Sequence, residues 1–249
     1  MPARLVAIPY SPWSEKARWA LDHHRIPYDL ERYHPVSGEP ALRWRLGRGR
    51  GPVSVPVLLT EGSAVTDSFD IAQYAERHGH GVPLFRRGWQ PEIEHWNDLS
   101  EQALAAGRAL HLERAYQDAN ACQETLPQRV PGPLRRPLVP VARAGIRYIQ
   151  VKYGIRDGQE TQRSRLLDAL LRLRHALSDG RTYLLGELSY ADLAMATALH
   201  AIQPVDDHHV ELGPATRRSW TDLELASELN DLVAWRDQLY QRHRGVSRD

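Results

Sequence analysis

Every strand-like run in this 249-residue sequence lies before residue 67, and beyond residue 88 the apolar spacing is helical throughout. That asymmetry restricts the chain to a small α/β unit followed by a larger all-α unit. The run "RLVAI" (4–8) reads as a buried strand. Ser11 and Pro12 follow, and then Trp13, Ala17, Ala20, Leu21 and His24 recur at helical spacing. Serine just before a proline at the first helical position is a matched start signal. Glu15 adds a carboxylate to the first turn, where the helix dipole favours it. Next, "RIPYDLERY" alternates Ile26, Tyr28 and Leu30, as a half-buried strand does. A β-α-β unit this short favours a parallel strand pair.

The segment "HPVSGEPALRWRLGRGRGP" is weakly periodic and predicts a short irregular helix and then a flexible loop of alternating glycine and arginine. "VSVPVLLTEGSAVTDS" predicts two strands joined at Glu61-Gly62-Ser63. A helix is expected from Asp67 to about His78, closed by Gly79. The loop at 80–88 carries glycines and a proline. We therefore expect an α/β domain over 1–80, a linker over 81–88 and an all-helical domain over 89–249. Within the latter, helices are expected at 89–126, 160–177, 189–201 and 222–243. Leu166, Leu170, Leu173 and Leu177 mark one clear amphipathic face. Five prolines in 126–140 force a break, with a helix resuming near Pro140 and the path of 126–158 left open.

Composition removes several function classes. With 32 basic and 31 acidic residues, the net charge of +1 gives no long-range pull toward nucleic acid or an anionic membrane. No run approaches ~20 apolar residues, so no membrane span is expected. The N-terminus lacks the long apolar region of a signal peptide, and a cytoplasmic location is the simplest expectation. A single cysteine, Cys122, excludes an intramolecular disulfide and any two-thiol redox motif. His23-His24, His78/His80 and Asp206-Asp207-His208-His209 lack the spacing of a metal framework, so no metal is expected.

Four short motifs stand in a fixed order: Tyr10-Ser11-Pro12 at the first strand-to-helix junction, Val55-Pro56 before the third strand, Asp67-Ser68 opening the next helix, and Gly186-x-x-Ser189-x-Ala191-Asp192. In that order the sequence resembles the glutathione transferases across nearly its whole length. The resemblance implies a thioredoxin-like N-terminal domain, a helical C-terminal domain, glutathione as co-substrate and a homodimer. It implies that a hydroxyl at the first junction supports the glutathione thiolate. "SEKAR" after the proline is closer to the tau and omega pattern, which points to Ser11, with Tyr10 as runner-up. The physical need is plain, because a thiol of pKa about 8.5 reacts as its thiolate. A hydroxyl donor beside a helix N-terminus stabilises that charge.

The resemblance further implies a cis Val55-Pro56 bond, with the backbone of Val55 pairing with the cysteinyl part of glutathione. Asp67 and Ser68 would take the γ-glutamyl end, although Asp67 is shorter than the family's usual Glu or Gln. An arginine among Arg43, Arg45, Arg48 and Arg50 would take the glycyl carboxylate, and Trp13 would line the pocket for a small hydrophobic electrophile. Each residue also has a plainer reading. Ser11 and Asp67 suit helix caps, Tyr10 and Trp13 suit packing, and Val55-Pro56 suits an edge strand. Ser189 and Asp192 form a capping-box variant and support the fold alone. The expected function is a glutathione transferase acting on a hydrophobic electrophile or hydroperoxide. The alternatives are a non-catalytic glutathione or partner-binding protein of the same fold and a glutathione-dependent lyase or dehalogenase.

Overall fold

A computed structural model describes residues 3–245. The first strand, β1 (Ala3–Ala7), enters helix α1 (Pro12–His23), and β2 (Tyr28–Arg32) pairs with β1 in parallel. After α2 (Glu39–Arg45) come β3 (Val57–Thr60), β4 (Ser63–Thr66) and α3 (Ser68–His78). The four strands lie in the order β2-β1-β3-β4, with β1–β3 and β3–β4 antiparallel. This is the thioredoxin-like arrangement, and only helices follow it. The α3 end departs from the expected left-handed glycine cap. Gly79 has φ −106°. Its requirement is space: a Cβ there would lie 2.4 Å from His24 O.

The helical half contains α4 (Gln90–Gln117), α5 (Ala119–Thr125), α6 (Gly132–Arg135), α7 (Val139–Lys152), α8 (Gln159–Ala176) and α9 (Tyr190–Ala198). It closes with α10 (Pro214–Trp220), α11 (Leu223–Glu228), α12 (Asn230–Leu239) and a π-helical turn at Tyr240–Arg244. The expected single helix over 89–126 is broken at Asp118, whose carboxylate accepts from Asn120 N and so starts α5. The expected helix over 222–243 is likewise divided at Leu229, where ψ leaves the helical range. Sequence reading missed α10 altogether. Its first N–H groups are capped by Glu124, from α5, which accepts from Ala215 N at 3.0 Å and Thr216 N at 2.7 Å. In the proline-rich stretch, Arg135 binds the carbonyls of Gln123, Pro127 and Val130, which fixes a path that its composition leaves open.

One apolar core runs through both halves, including Leu5, Trp19, Ile71, Leu104, Leu166 and Tyr190. Helix α1 lies inside it, packed against α3 on one side and α9 on the other. Its spacing predicts one buried stripe, yet Glu15, Lys16 and Arg18 are buried as well. Burial of a charge is costly unless it is paired. Accordingly Lys16 pairs with Glu101, and Glu15 with Arg244 at 2.6 Å. The π-helical turn thus anchors α1, with Arg244 also reaching Asp22 at 2.9 Å and Trp19 packing on Tyr240. At the start of α9, Asp192 accepts from Ser189 N, Ser189 Oγ and Leu184 N, each at 2.8 Å.

Candidate functional site

A cavity of about 320 Å³ opens between the sheet half and helices α4 and α7. Tyr10, Ser11, Trp13, Val55, Pro56, Asp67 and Ser68 all line it. The residues chosen from sequence, separated by up to 58 positions, therefore share one space. Val55-Pro56 is cis.

Ser11 occupies the N-cap position of α1 with extended dihedrals (φ −79°, ψ 130°), as its proline neighbour demands. Its backbone serves the turn, N–H to Ile8 O and C=O from Glu15 N. Its side chain makes no capping bond. The plain cap reading therefore fails for the hydroxyl, and Ser11, half-buried, lines the cavity. The neighbouring Tyr10 is half-buried too, and burial raises its pKa above the ordinary phenol value, with Glu124 adding to the effect. Tyr10 thus stays a neutral donor.

Asp67 is the N-cap of α3, and its Oδ1 accepts from Phe69 N at 2.8 Å. Its φ of 82° places a non-glycine residue in the left-handed half of backbone space. Burial pushes its carboxyl above the ordinary value, with the Phe69 N–H opposing. Here the cap reading holds, and Oδ2 makes no hydrogen bond with another described residue. Ser68 is buried beside it in the first turn.

The arginines expected to supply a cation do not reach the cavity. Arg45 pairs with Glu31 at 2.6 Å, Arg43 donates to Gly51 O at 3.1 Å, and Arg48 and Arg50 are exposed. Arg43 and Arg45 lie on α2 and Arg48 and Arg50 on the exposed loop after it. The cations lining the cavity are Lys152 and Arg108, from the helical half. Lys152 Nζ is bonded to Glu39 at 2.8 Å and to Val53 O at 2.6 Å, so it ties α7 to the segment before Val55. Tyr148 adds a bond to the same Glu39 at 2.7 Å.

The individual residues of the α4 wall were not identified from the sequence. Glu101, Ala105, Arg108 and Leu112 all line the cavity. They stand at i, i+4, i+7 and i+11, so the signal was two charges on one helix face among alanines and leucines. Glu101 accepts from Trp13 Nε1 at 2.6 Å and from Lys16 Nζ at 2.5 Å. Trp13 therefore lines the cavity with its indole N–H held by Glu101. Deeper, His111 bonds Ser219 Oγ at 2.8 Å and stacks on Trp220 at 4.3 Å. Burial pulls its pKa down to about 3, with Arg114 assisting, so the imidazole is neutral.

The other polar clusters are structural. His23 bonds Val82 O, His78 bonds Tyr74 O, and Asp207 accepts from Arg217. Among the described residues no three His, Cys, Asp or Glu side chains stand close enough to hold a metal ion. No helix in that span is long and apolar enough to cross a membrane. Cys122 is fully buried, and burial raises its thiol pKa.

The fold, a thioredoxin-like sheet half followed by helices, is the one seen in solved glutathione transferases. Residues 10–78 match the family described as "Glutathione S-transferase, N-terminal domain". Among solved structures the chain is similar to glutathione transferase GSTFuA2 from Phanerochaete chrysosporium, at 18% identity over 99% of this chain and 100% of that one, with a TM-score of 0.66. It is similar to the glutathione S-transferase CsGST63524 of Ceriporiopsis subvermispora, solved with glutathione, at 16% identity over 100% of both chains and TM-score 0.63. Beta-etherase LigF from Sphingobium sp. strain SYK-6 gives 17% identity over 97% of this chain and 96% of that one, with TM-score 0.61. No curated protein matches the sequence. Residues 10–78 thus match the N-terminal domain of the glutathione S-transferases, and the chain as a whole shares the fold of these structures.

Proposed function

We propose that the protein binds glutathione and activates its thiol as the thiolate, for attack on a hydrophobic electrophile or a hydroperoxide. The observation that carries this reading is Ser11, which lines the cavity while its hydroxyl makes no capping bond to its own helix. A hydroxyl placed there donates to a sulfur anion, and the first-turn N–H groups of α1 add their partial positive charge. On this reading residues 1–80 are the glutathione-binding domain, 81–88 the linker and 89–249 the domain that supplies the electrophile wall. Val55 offers its backbone to the cysteinyl part of the tripeptide. Asp67 Oδ2 and Ser68 take the γ-glutamyl end, and Trp13 borders the electrophile. A homodimer acting in cytoplasmic detoxification completes the proposal.

The attack forms a carbon–sulfur bond from the thiolate electron pair, and the electrophile's leaving group departs with its own pair. With a hydroperoxide, the thiolate sulfur bonds the terminal oxygen as the oxygen–oxygen bond breaks and the alkoxide leaves as the alcohol. A second glutathione then attacks that sulfur, releasing water and forming the disulfide.

Retention on immobilised glutathione, followed by the thiolate ultraviolet difference on mixing near neutral pH, tests the reading. Retention with a thiolate signal is the expected result. Retention without one supports the binding-only alternative, and absence of retention overturns both.

A further inference from the structure

Arg108 is a half-buried cation with nothing to bind. Its guanidinium carbon lies 3.7 Å from the ring centroid of Tyr153 and 4.7 Å from that of Trp13. It forms no hydrogen bond or ion pair with another described residue, and its buried Nε has no partner. Burial draws its pKa below the ordinary arginine value, but the group stays charged at neutral pH. A guanidinium removed from water without a carboxylate partner is expensive to maintain. The two aromatic rings recover part of that cost and hold the side chain in place. Its N–H donors remain free beside the cavity.

The other charged groups lining the cavity are already engaged. Lys152 is bonded to Glu39 and Val53 O, Glu101 to Trp13 and Lys16, and Asp67 to Phe69 N. An arginine presenting an uncommitted planar fork in a partly desolvated site matches a carboxylate or a similar oxyanion. Its position decides which one. Arg108 stands seven residues, roughly 10 Å, along α4 from Glu101. It lies against Trp13 and Tyr153, on the helical side of the cavity. Val55, Asp67 and Ser68 belong to the opposite, sheet-bearing side, where Lys152 is the cation next to the Val53–Val55 segment.

We propose that Arg108 anchors an anionic group on the electrophile, so that the substrates of this protein are electrophiles carrying a carboxylate or comparable oxyanion. This rests on glutathione occupying the sheet-bearing side of the cavity. It narrows the hydrophobic electrophile to an amphipathic acid whose apolar body lies along Trp13 and Leu112. The arginine contributes binding and orientation, and takes no part in bond exchange at sulfur.

Calorimetric titration tests this with glutathione, a series of S-alkyl glutathiones, and S-(ω-carboxyalkyl) glutathiones of the same chain lengths. The wild-type protein should bind the best carboxylated conjugate about tenfold tighter than its neutral counterpart. Arg108→Gln should remove that preference while leaving affinity for glutathione unchanged. Arg108→Lys, which keeps the charge but loses the fork, should retain only part of it. If glutathione and the neutral conjugates bind but no chain length shows the preference, the inference is wrong and the glutathione site stands. If Arg108→Gln weakens glutathione as much as the conjugate, the arginine serves the tripeptide and the inference is again wrong. If no glutathione derivative binds, the glutathione reading itself fails. The wild-type comparison decides the matter even if Arg108→Gln folds poorly.

Discussion

Trp13 and Glu101 join the first turn of α1 to the middle of α4: the indole Nε1 donates to Glu101 Oε2 at 2.6 Å. The other oxygen of the same carboxylate takes the fully buried Lys16 ammonium at 2.5 Å. One acidic side chain therefore positions a cavity wall and neutralises a charge inside the core.

Glu101→Ala should lose both. It leaves the Lys16 ammonium with Ser100 Oγ alone, 3.1 Å away. Breaking a buried pair by removing one partner is costly, and partial exposure of Glu101 reduces the figure, so we expect on the order of 2 kcal/mol. The double variant Glu101→Ala/Lys16→Met should recover much of that loss. A urea midpoint for the double variant below that of Glu101→Ala would contradict this account.

Ser11→Ala separates activation from stability. A hydrogen bond to a charged acceptor contributes about 1.5–3 kcal/mol, so turnover should drop about 10- to 100-fold and the thiolate signal should move to higher pH. Because the hydroxyl makes no capping bond, the melting temperature should stay within error of the wild type. A true cap would cost about 1 kcal/mol. Tyr10→Phe should leave both readouts nearly unchanged. Reversed thiolate results for these two variants would move the role to Tyr10.

Two glycines in helices should respond in opposite senses. Alanine gains about 1 kcal/mol over glycine in a helix interior. At Gly107 in α4, a Cβ would sit 2.3 Å from the Ala201 Cβ, and overpacking of that kind costs about 1–3 kcal/mol. At Gly145 in α7 the nearest atom would be Val36 Cγ2 at 3.9 Å, an ordinary contact. Gly107→Ala should therefore lower the melting temperature and Gly145→Ala should raise it. Thermal melts of the two variants check the pair.

Acid should destabilise the protein through its buried imidazoles. Burial holds His111 down to about 3, against about 6.5 in an unfolded chain. Between these values the unfolded state binds the extra proton, so stability falls as pH falls, by on the order of 4 kcal/mol for the whole shift. His200, also lowered by burial, acts in the same sense. Asp192 opposes them: burial pushes it up to about 6. Its contribution is full below about 4 and is lost as pH rises through about 6, by on the order of 3 kcal/mol. The two imidazoles outweigh the one carboxyl. Melts at about pH 7 and about pH 5 should show the loss on acidification. It should be smaller in His111→Gln and larger in Asp192→Asn.

The sheet half was legible because its signals are local. Ser11-Pro12, Glu61-Gly62 and Asp67-Ser68 each mark a boundary through chemistry within a few residues, and the element order follows from them. The α10 helix was not, because its cap is Glu124, some 90 positions away. The same contrast runs through the site. Residues at strand and helix junctions were identifiable, as their positions are conspicuous in the chain. Arg108 and Lys152 lie inside helices, where a charge ordinarily faces water, and only the packing of α4 and α7 over the sheet half turns them into the cavity. The arginines of 43–50 do not line the cavity, and nothing local to α2 and the loop after it says which way they face.

The ion pair between Glu15 and Arg244 sets an order of events during synthesis. A ribosome-bound chain must have emerged past residue 244 before the first turn of α1 can meet its buried counter-charge, 229 residues after Glu15. The sheet half can assemble early, as N-terminal segments generally do. The helix that presents Ser11 is completed only when almost the whole described chain is available to close around it.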